Sequence, residues 1–171
     1  MRCAGYTLIE LLVVISIIGL LGVFSLSSLK GFSKDLVVTK ASDEVQTLLR
    51  LAQSNATTST LCNNQGATSW YLDFMGNGTV IQLNCSPGGT PKSYTLVDAK
   101  IAIAGAGCTS DFPVKLSYSM GVAKPSWSSA VSSDNNCLQS PIITITISNT
   151  KNTSAATKIF RVSKGGAVDV Q

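Results

Sequence analysis

From Leu11 to Leu29 the chain carries no charged residue and no proline. As an α-helix rising 1.5 Å per residue, such a run is roughly 28 Å long, close to the hydrocarbon thickness of a bilayer. At its front edge stands one carboxylate, Glu10. A charge in or against lipid costs about 2.5–3.5 kcal/mol on insertion scales, so an acid at this place implies a partner.

Three readings compete for the segment. A cleaved secretory signal has a basic start, an apolar core of 7–15 residues and a small-residue exit. This run is longer, has Glu10 at its front, and shows no Ala-x-Ala-like exit before Lys30. A plain single-pass anchor accounts for the length but not for Glu10. The third reading rests on Gly5-Tyr6-Thr7-Leu8-Ile9-Glu10-Leu11-Leu12-Val13-Val14-Ile15, which resembles the class III signal of type IV prepilins and type II secretion pseudopilins. The resemblance covers about the first thirty residues. It implies cleavage between Gly5 and Tyr6 by a prepilin peptidase and N-methylation of Tyr6, where relatives usually carry Phe. It also implies that Glu10 meets the positive N-terminus of a neighbouring subunit during filament assembly, the partner that burial demands. Many pilins have a proline partway along this helix; here the region reads Gly22-Val23-Phe24-Ser25-Leu26-Ser27-Ser28, which allows a kink without fixing one.

After the apolar run about 140 of the 171 residues remain, enough for one compact domain with its own core. The formal net charge of +4 includes Arg2, which would leave with the leader, so a nucleic-acid partner does not follow from charge alone. Charged residues make up only 13% of the chain, below the usual quarter, and Ser, Thr, Asn and Gly carry the polar surface instead.

Cleavage after Gly5 would also remove Cys3 and leave an even set, Cys62, Cys85, Cys108 and Cys137. Four cysteines beyond an export segment fit two disulfides in an oxidising periplasm, with three possible connectivities. The preferred pairing is Cys62–Cys85 with Cys108–Cys137, because each closes a local loop, and each would contribute about 3 kcal/mol by the chain-entropy argument. A metal site needs close ligand pairs. No two of these cysteines are near in sequence, and histidine is absent. Neither a metal nor a cofactor is expected.

Beyond Lys30 a helical pattern resumes, with Val37, Ala41, Val45, Leu48, Leu49 and Ala52 on one face. The pattern predicts one helix from Tyr6 to about Asn55, roughly 75 Å long, with an anchor and a separate helix broken at Gly31 as the alternative. Past Cys62 the sequence turns to strands: 70–74 and 79–83 around Met75-Gly76-Asn77-Gly78, then 94–97, 100–103, 114–118, 142–148, 158–162 and 167–170. Residues 125–140, rich in Ser and Asn, read as a long surface loop tied down by Cys137. The expected fold class is α+β, a long N-terminal helix on an antiparallel β-rich head. The expected divisions are a leader at 1–5, a transmembrane or filament-core helix at 6–29, its amphipathic continuation at 30–56, and a periplasmic head at 57–171.

Catalysis is not expected. Without histidine no Ser-His-Asp or Cys-His arrangement forms. Gly105-Ala106-Gly107 lacks a third glycine and reads as a loop. The acids stand singly, and the Asn-x-Ser/Thr triplets at Asn55, Asn77, Asn84 and Asn152 arise readily in an Asn/Thr-rich chain.

The tail, Phe160-Arg161-Val162-Ser163-Lys164-Gly165-Gly166-Ala167-Val168-Asp169-Val170, resembles the closing hairpin of pseudopilin H and FimT/FimU-type minor pilins. In DNA-uptake members that hairpin carries Gly-Arg-x-Arg. Here Gly166 keeps the glycine, but Ala167 and Asp169 occupy the arginine positions, which opposes phosphate binding. Lys158, Arg161 and Lys164 remain as a candidate weak DNA patch, with a solvated strand edge as the favoured reading. Together the resemblances imply a minor pilin or pseudopilin that starts in the bacterial inner membrane and moves into a pilus or pseudopilus. Its partners would be the peptidase and the N-terminal helices of other pilins, packing through residues such as Leu11, Val14 and Ile18. DNA binding by the head is the alternative.

Overall fold

The computed structural model describes residues 7–105, 108–122, 124–129, 138–151 and 157–170, with the backbone alone at 23–34, 108 and 109. One helix, α1 (Leu8–Thr57), runs for 50 residues. It passes Gly31 without a break, so the one-helix expectation holds and the two-helix alternative does not. Polar and β-branched residues accumulate at its C-terminal end, where Thr58 N–H closes on the Ser54 carbonyl at 2.9 Å. Among the described residues no helical stretch is long and apolar enough to cross a membrane. The apolar run read from the sequence continues to Leu29, past Leu21, the last side chain described in that half.

Ten strands follow among the described residues: β1 (Ser69–Met75), β2 (Val80–Ser86), β3 (Lys92–Thr95), β4 (Ala99–Gly105), β5 (Cys108–Ser110), β6 (Val114–Ser119), β7 (Pro125–Ser129), β8 (Ile142–Asn149), β9 (Lys158–Ser163) and β10 (Val168–Val170). They form two antiparallel five-stranded sheets, ordered β3-β2-β1-β6-β7 and β10-β9-β8-β4-β5. The fold class is α+β, as expected. In each sheet the alternation of side chains sends one set inward. Leu72, Phe74, Ile81, Leu116 and Tyr118 come from the first sheet, and Ile101, Ile103, Ile145, Ile147 and Phe160 from the second. The second half of α1 packs against both. Its buried stripe is Val38, Ala41, Val45, Leu48, Leu49, Ala52 and Ala56. The face is turned by one residue at its start, with Val38 buried and Val37 half-buried. Each buried leucine contributes about 1.5–3 kcal/mol of transfer free energy.

Two stretches depart from the sequence reading. Residues 125–129 form a strand, β7, where a surface loop was expected. Trp127 faces inward and stacks on Phe74 with ring centroids 6.2 Å apart, and Ser126 pairs with Ser117 through their hydroxyls at 2.8 Å. Because β7 is an edge strand, it can begin with proline, and its serines hide the alternation from composition. Residues 130–137, the rest of the expected loop apart from its last three positions, lie outside the described residues. In the other stretch, β3 spans Lys92–Thr95 and stops short of Leu96 and Val97. Asp98 adopts a left-handed φ of 58°, and Val97 is left exposed. The remaining strands match their expected positions to within three residues. The short β5 was not anticipated; Gly105, read as a loop residue, ends β4 and pairs with Cys108.

Candidate functional site

The first described turn of α1 combines a local device with an unusual surface. Thr7 is the N-cap, with extended φ/ψ of −79° and 150°, and Glu10 occupies the third helical position. Glu10 N–H donates to Thr7 Oγ1 at 3.3 Å, while Thr7 N–H and Oγ1–H donate to Glu10 Oε2 at 3.1 and 3.0 Å. This is a reciprocal capping box, and its carboxylate also faces the positive end of the helix dipole. The spacing Thr-x-x-Glu was visible in the sequence, but reading it as part of a processing signal passed over its capping chemistry. Within the chain, then, Glu10 is held by Thr7. The processing residues Gly5 and Tyr6 lie outside the described residues.

From Leu8 to Leu21 every large apolar side chain is exposed, from 48% at Val14 to 84% at Leu8. They surround the helix instead of forming one stripe. A helix apolar on all sides is stable only within lipid or among other apolar helices. The hydroxyl of Ser16 is turned back onto the Leu12 carbonyl at 2.9 Å, which removes a free polar group from this surface.

At the other end of α1, Cys62 and Cys85 are joined in a disulfide with Cα atoms 5.8 Å apart. It ties the α1–β1 connection, where Cys62 and Gln65 form an isolated bridge, to the end of β2. The other expected pair is not described: Cys108 lies in β5 with its backbone alone, and Cys137 is outside the described residues.

The candidate basic patch is not gathered on one surface. Along β9, Lys158 shares the face of the buried Phe160 and Val162, whereas Arg161 points to the opposite face. Arg161 stands across from Asp169 on β10 and Thr144 on β8. Lys164 lies in the β9–β10 turn, exposed. The glycine of the turn, Gly166, is buried, and its carbonyl accepts from Gln53 Nε2 of α1 at 3.4 Å.

On the outer face of the first sheet the Lys115 ammonium lies 3.7 Å from Asp73 Oδ1 and 4.3 Å from the Tyr71 ring centroid. Burial pushes the Asp73 carboxyl above its ordinary range, and Lys115 draws it back. Among the described residues no group of three His, Cys, Asp or Glu side chains is placed to hold a metal ion.

An exposed apolar helix continued into a β-sheet head is a two-part architecture, one part apolar and uncovered and the other folded around its own core. The first 26 residues match the family described as the prokaryotic N-terminal methylation motif. The match covers the segment that carries Gly5, Tyr6 and Glu10, and it supports a type IV pilin-like protein with a class III signal. No curated protein and no solved structure matches the chain.

Proposed function

We propose that the chain is a structural minor pilin or pseudopilin, of the pseudopilin H and FimT/FimU type, that assembles through its N-terminal helix into a type IV pilus or a type II secretion pseudopilus. The observation that carries this reading is the exposed apolar surface of residues 8–21, which holds Glu10 in its first turn and lies within the methylation motif. Residues 1–5 are the leader, 6–29 the helix that sits first in the inner membrane and then in the filament core, 30–56 its amphipathic continuation, and 57–171 the periplasmic head. Prepilin peptidase cuts after Gly5 and the new N-terminus at Tyr6 is methylated. Lipid first covers the apolar helix, and neighbouring helices cover it in the filament. Head-to-tail contacts that do not close generate a helical array. The role is structural rather than catalytic.

Glu10 supplies axial register in this scheme. Its capping bonds to Thr7 are local and reversible, and a neighbour's positive N-terminus competes for the same carboxylate with a full charge in a medium of low dielectric. Replacing Glu10 by Gln or Leu leaves the head folded and the precursor membrane-bound, but stops its incorporation into sheared filaments or its crosslinking to other pilins. Normal incorporation of both variants would refute this role.

A further inference from the structure

Between the disulfide and the C-terminal end of α1 lies a cavity of about 290 Å³. Its floor is buried and apolar, made by Leu83 and Cys85. One wall is the indole of Trp70, whose Nε1–H already donates to the Thr60 carbonyl at 3.2 Å. That bond fixes the ring and leaves its apolar surface as what it offers. Around the mouth stand three carboxamides, Asn55, Asn63 and Asn84, with the Thr90 hydroxyl.

From this lining we infer that the cavity is a binding site for a neutral polyhydroxylated ligand, a single saccharide unit. Each carboxamide carries both donors and an acceptor, and Thr90 adds one of each. Vicinal hydroxyls of a sugar present the same mixture at similar spacing, and the C–H face of a pyranose matches an aromatic wall. An apolar ligand would leave the amides without partners, which costs affinity. An anion would find one cation in the described lining, Lys92, whose ammonium stands at 5.6 Å over the Tyr94 ring. The volume lies near the lower end of small-ligand sites, about 300 Å³ and upward, and suits one ring better than a chain.

The surrounding architecture holds the amides in place. Asn84 Oδ1 accepts from Cys85 N–H at 2.8 Å, which orients the amide nitrogen as the remaining donor. Asn63 sits in a left-handed conformation with φ of 50°, one residue after the disulfide. On the opposite lip, Gly89 brings the 86–91 loop close: a Cβ there would approach Cys85 Sγ to 2.6 Å. The disulfide thus ties the connection that carries Asn63 to the end of β2, which leads into the loop of Thr90. The cavity is formed by the head together with Asn55 at the C-terminal end of α1, away from the exposed apolar residues 8–21, so its ligand is independent of the assembly reading.

The test uses the full chain in detergent, with the methyl glycosides of glucose, galactose, mannose and N-acetylglucosamine as neutral probes and N-acetylneuraminic acid as the anionic one. Saturation-transfer NMR reads the bound sugar protons, and fluorescence reads Trp70 against Trp127, the other tryptophan of the chain. The expected result is saturable binding of at least one neutral glycoside. It should weaken at least tenfold in Asn63→Asp, which tolerates the left-handed backbone, and in Thr90→Val, which keeps the shape. Both variants should retain the parent's thermal transition, and Lys115→Gln, away from the cavity lining, should bind as the parent does. The inference is overturned if no neutral glycoside saturates, if only N-acetylneuraminic acid binds, or if both cavity variants bind undiminished.

Discussion

Gly78 lies where any Cβ would overlap the backbone carbonyl oxygen of Ile101. The β1–β2 turn of the first sheet thus meets β4 of the second through bare backbone, with φ of 84° at Gly78. Two requirements coincide at one residue: a left-handed conformation and no side chain. Gly88 shares the first requirement, with φ of 77°, but has open space around it.

These two glycines give a matched pair. Gly88→Ala should cost about 1–2 kcal/mol, the penalty for the left-handed backbone. Gly78→Ala should cost roughly 3 kcal/mol or more, since the sheets must also separate. Chemical denaturation of the two variants checks this, and equal losses would show that the contact between the sheets tolerates a methyl group.

The Cys62–Cys85 bond closes a separation of 23 residues, for which the chain-entropy argument gives about 3 kcal/mol. The Cys62→Ser, Cys85→Ser double variant should lose stability by about that amount. It should also show faster hydrogen exchange in residues 60–66 and 86–91, the segments the bond joins. Slowed exchange or an unchanged denaturation midpoint would remove the bond from the account.

Tyr118 is fully buried, and its hydroxyl has no hydrogen-bond partner among the described residues. Tyr118→Phe should therefore leave stability unchanged or raise it by about 1 kcal/mol. Burial also pushes the phenol up to about 12 from its ordinary 10.0. The folded chain then keeps a proton that the unfolded chain has released, so this group's contribution to stability falls as pH rises between those two values. The fall is about 1.4 kcal/mol per unit. The Tyr118→Phe chain should lack that alkaline slope, and denaturation midpoints measured below and within that interval compare the two chains.

Asp73 gives the opposite kind of dependence from the common paired carboxylate. Burial raises its pKa and Lys115 lowers it, with the rise prevailing, so folding holds the Asp73 proton more tightly than the unfolded chain does. Stability from this group is present at low pH and falls as pH rises through the interval from the ordinary aspartate range to the raised value. Lys115→Met should extend that interval upward and destabilise the head most near neutral pH, with the deficit shrinking as acid protonates Asp73. Asp73→Asn in the same background should remove the pH dependence. A deficit constant with pH would instead assign the effect to the Lys115 stem packed on Tyr71.

The parts of the fold that are periodic were legible in the sequence. Apolar spacing located the core stripe of α1, and the alternation of Ile143, Ile145 and Ile147 located β8. The second sheet was not legible, because strand order depends on pairings distant in sequence, such as Ile101 with Ile147. Nor was β7, where serines mask a strand whose one large inward side chain is Trp127. For the candidate sites the contrast is similar. The signal around Gly5, Tyr6 and Glu10 is local and was read directly. The opposite facing of Lys158 and Arg161 follows from their odd spacing along β9, whereas the Asp73–Lys115 pair and the cavity beside Trp70 arise only when separate strands are brought together.

At the centre of the proposed function is a chain that enters the membrane as a precursor and is matured at its N-terminus. Intact mass and N-terminal sequencing of the membrane-extracted protein, from cells with and without prepilin peptidase, test this most directly. The expected result is a mature chain that begins with methylated Tyr6 and appears only when the enzyme is present. A chain that begins at Met1 in both strains would contradict it.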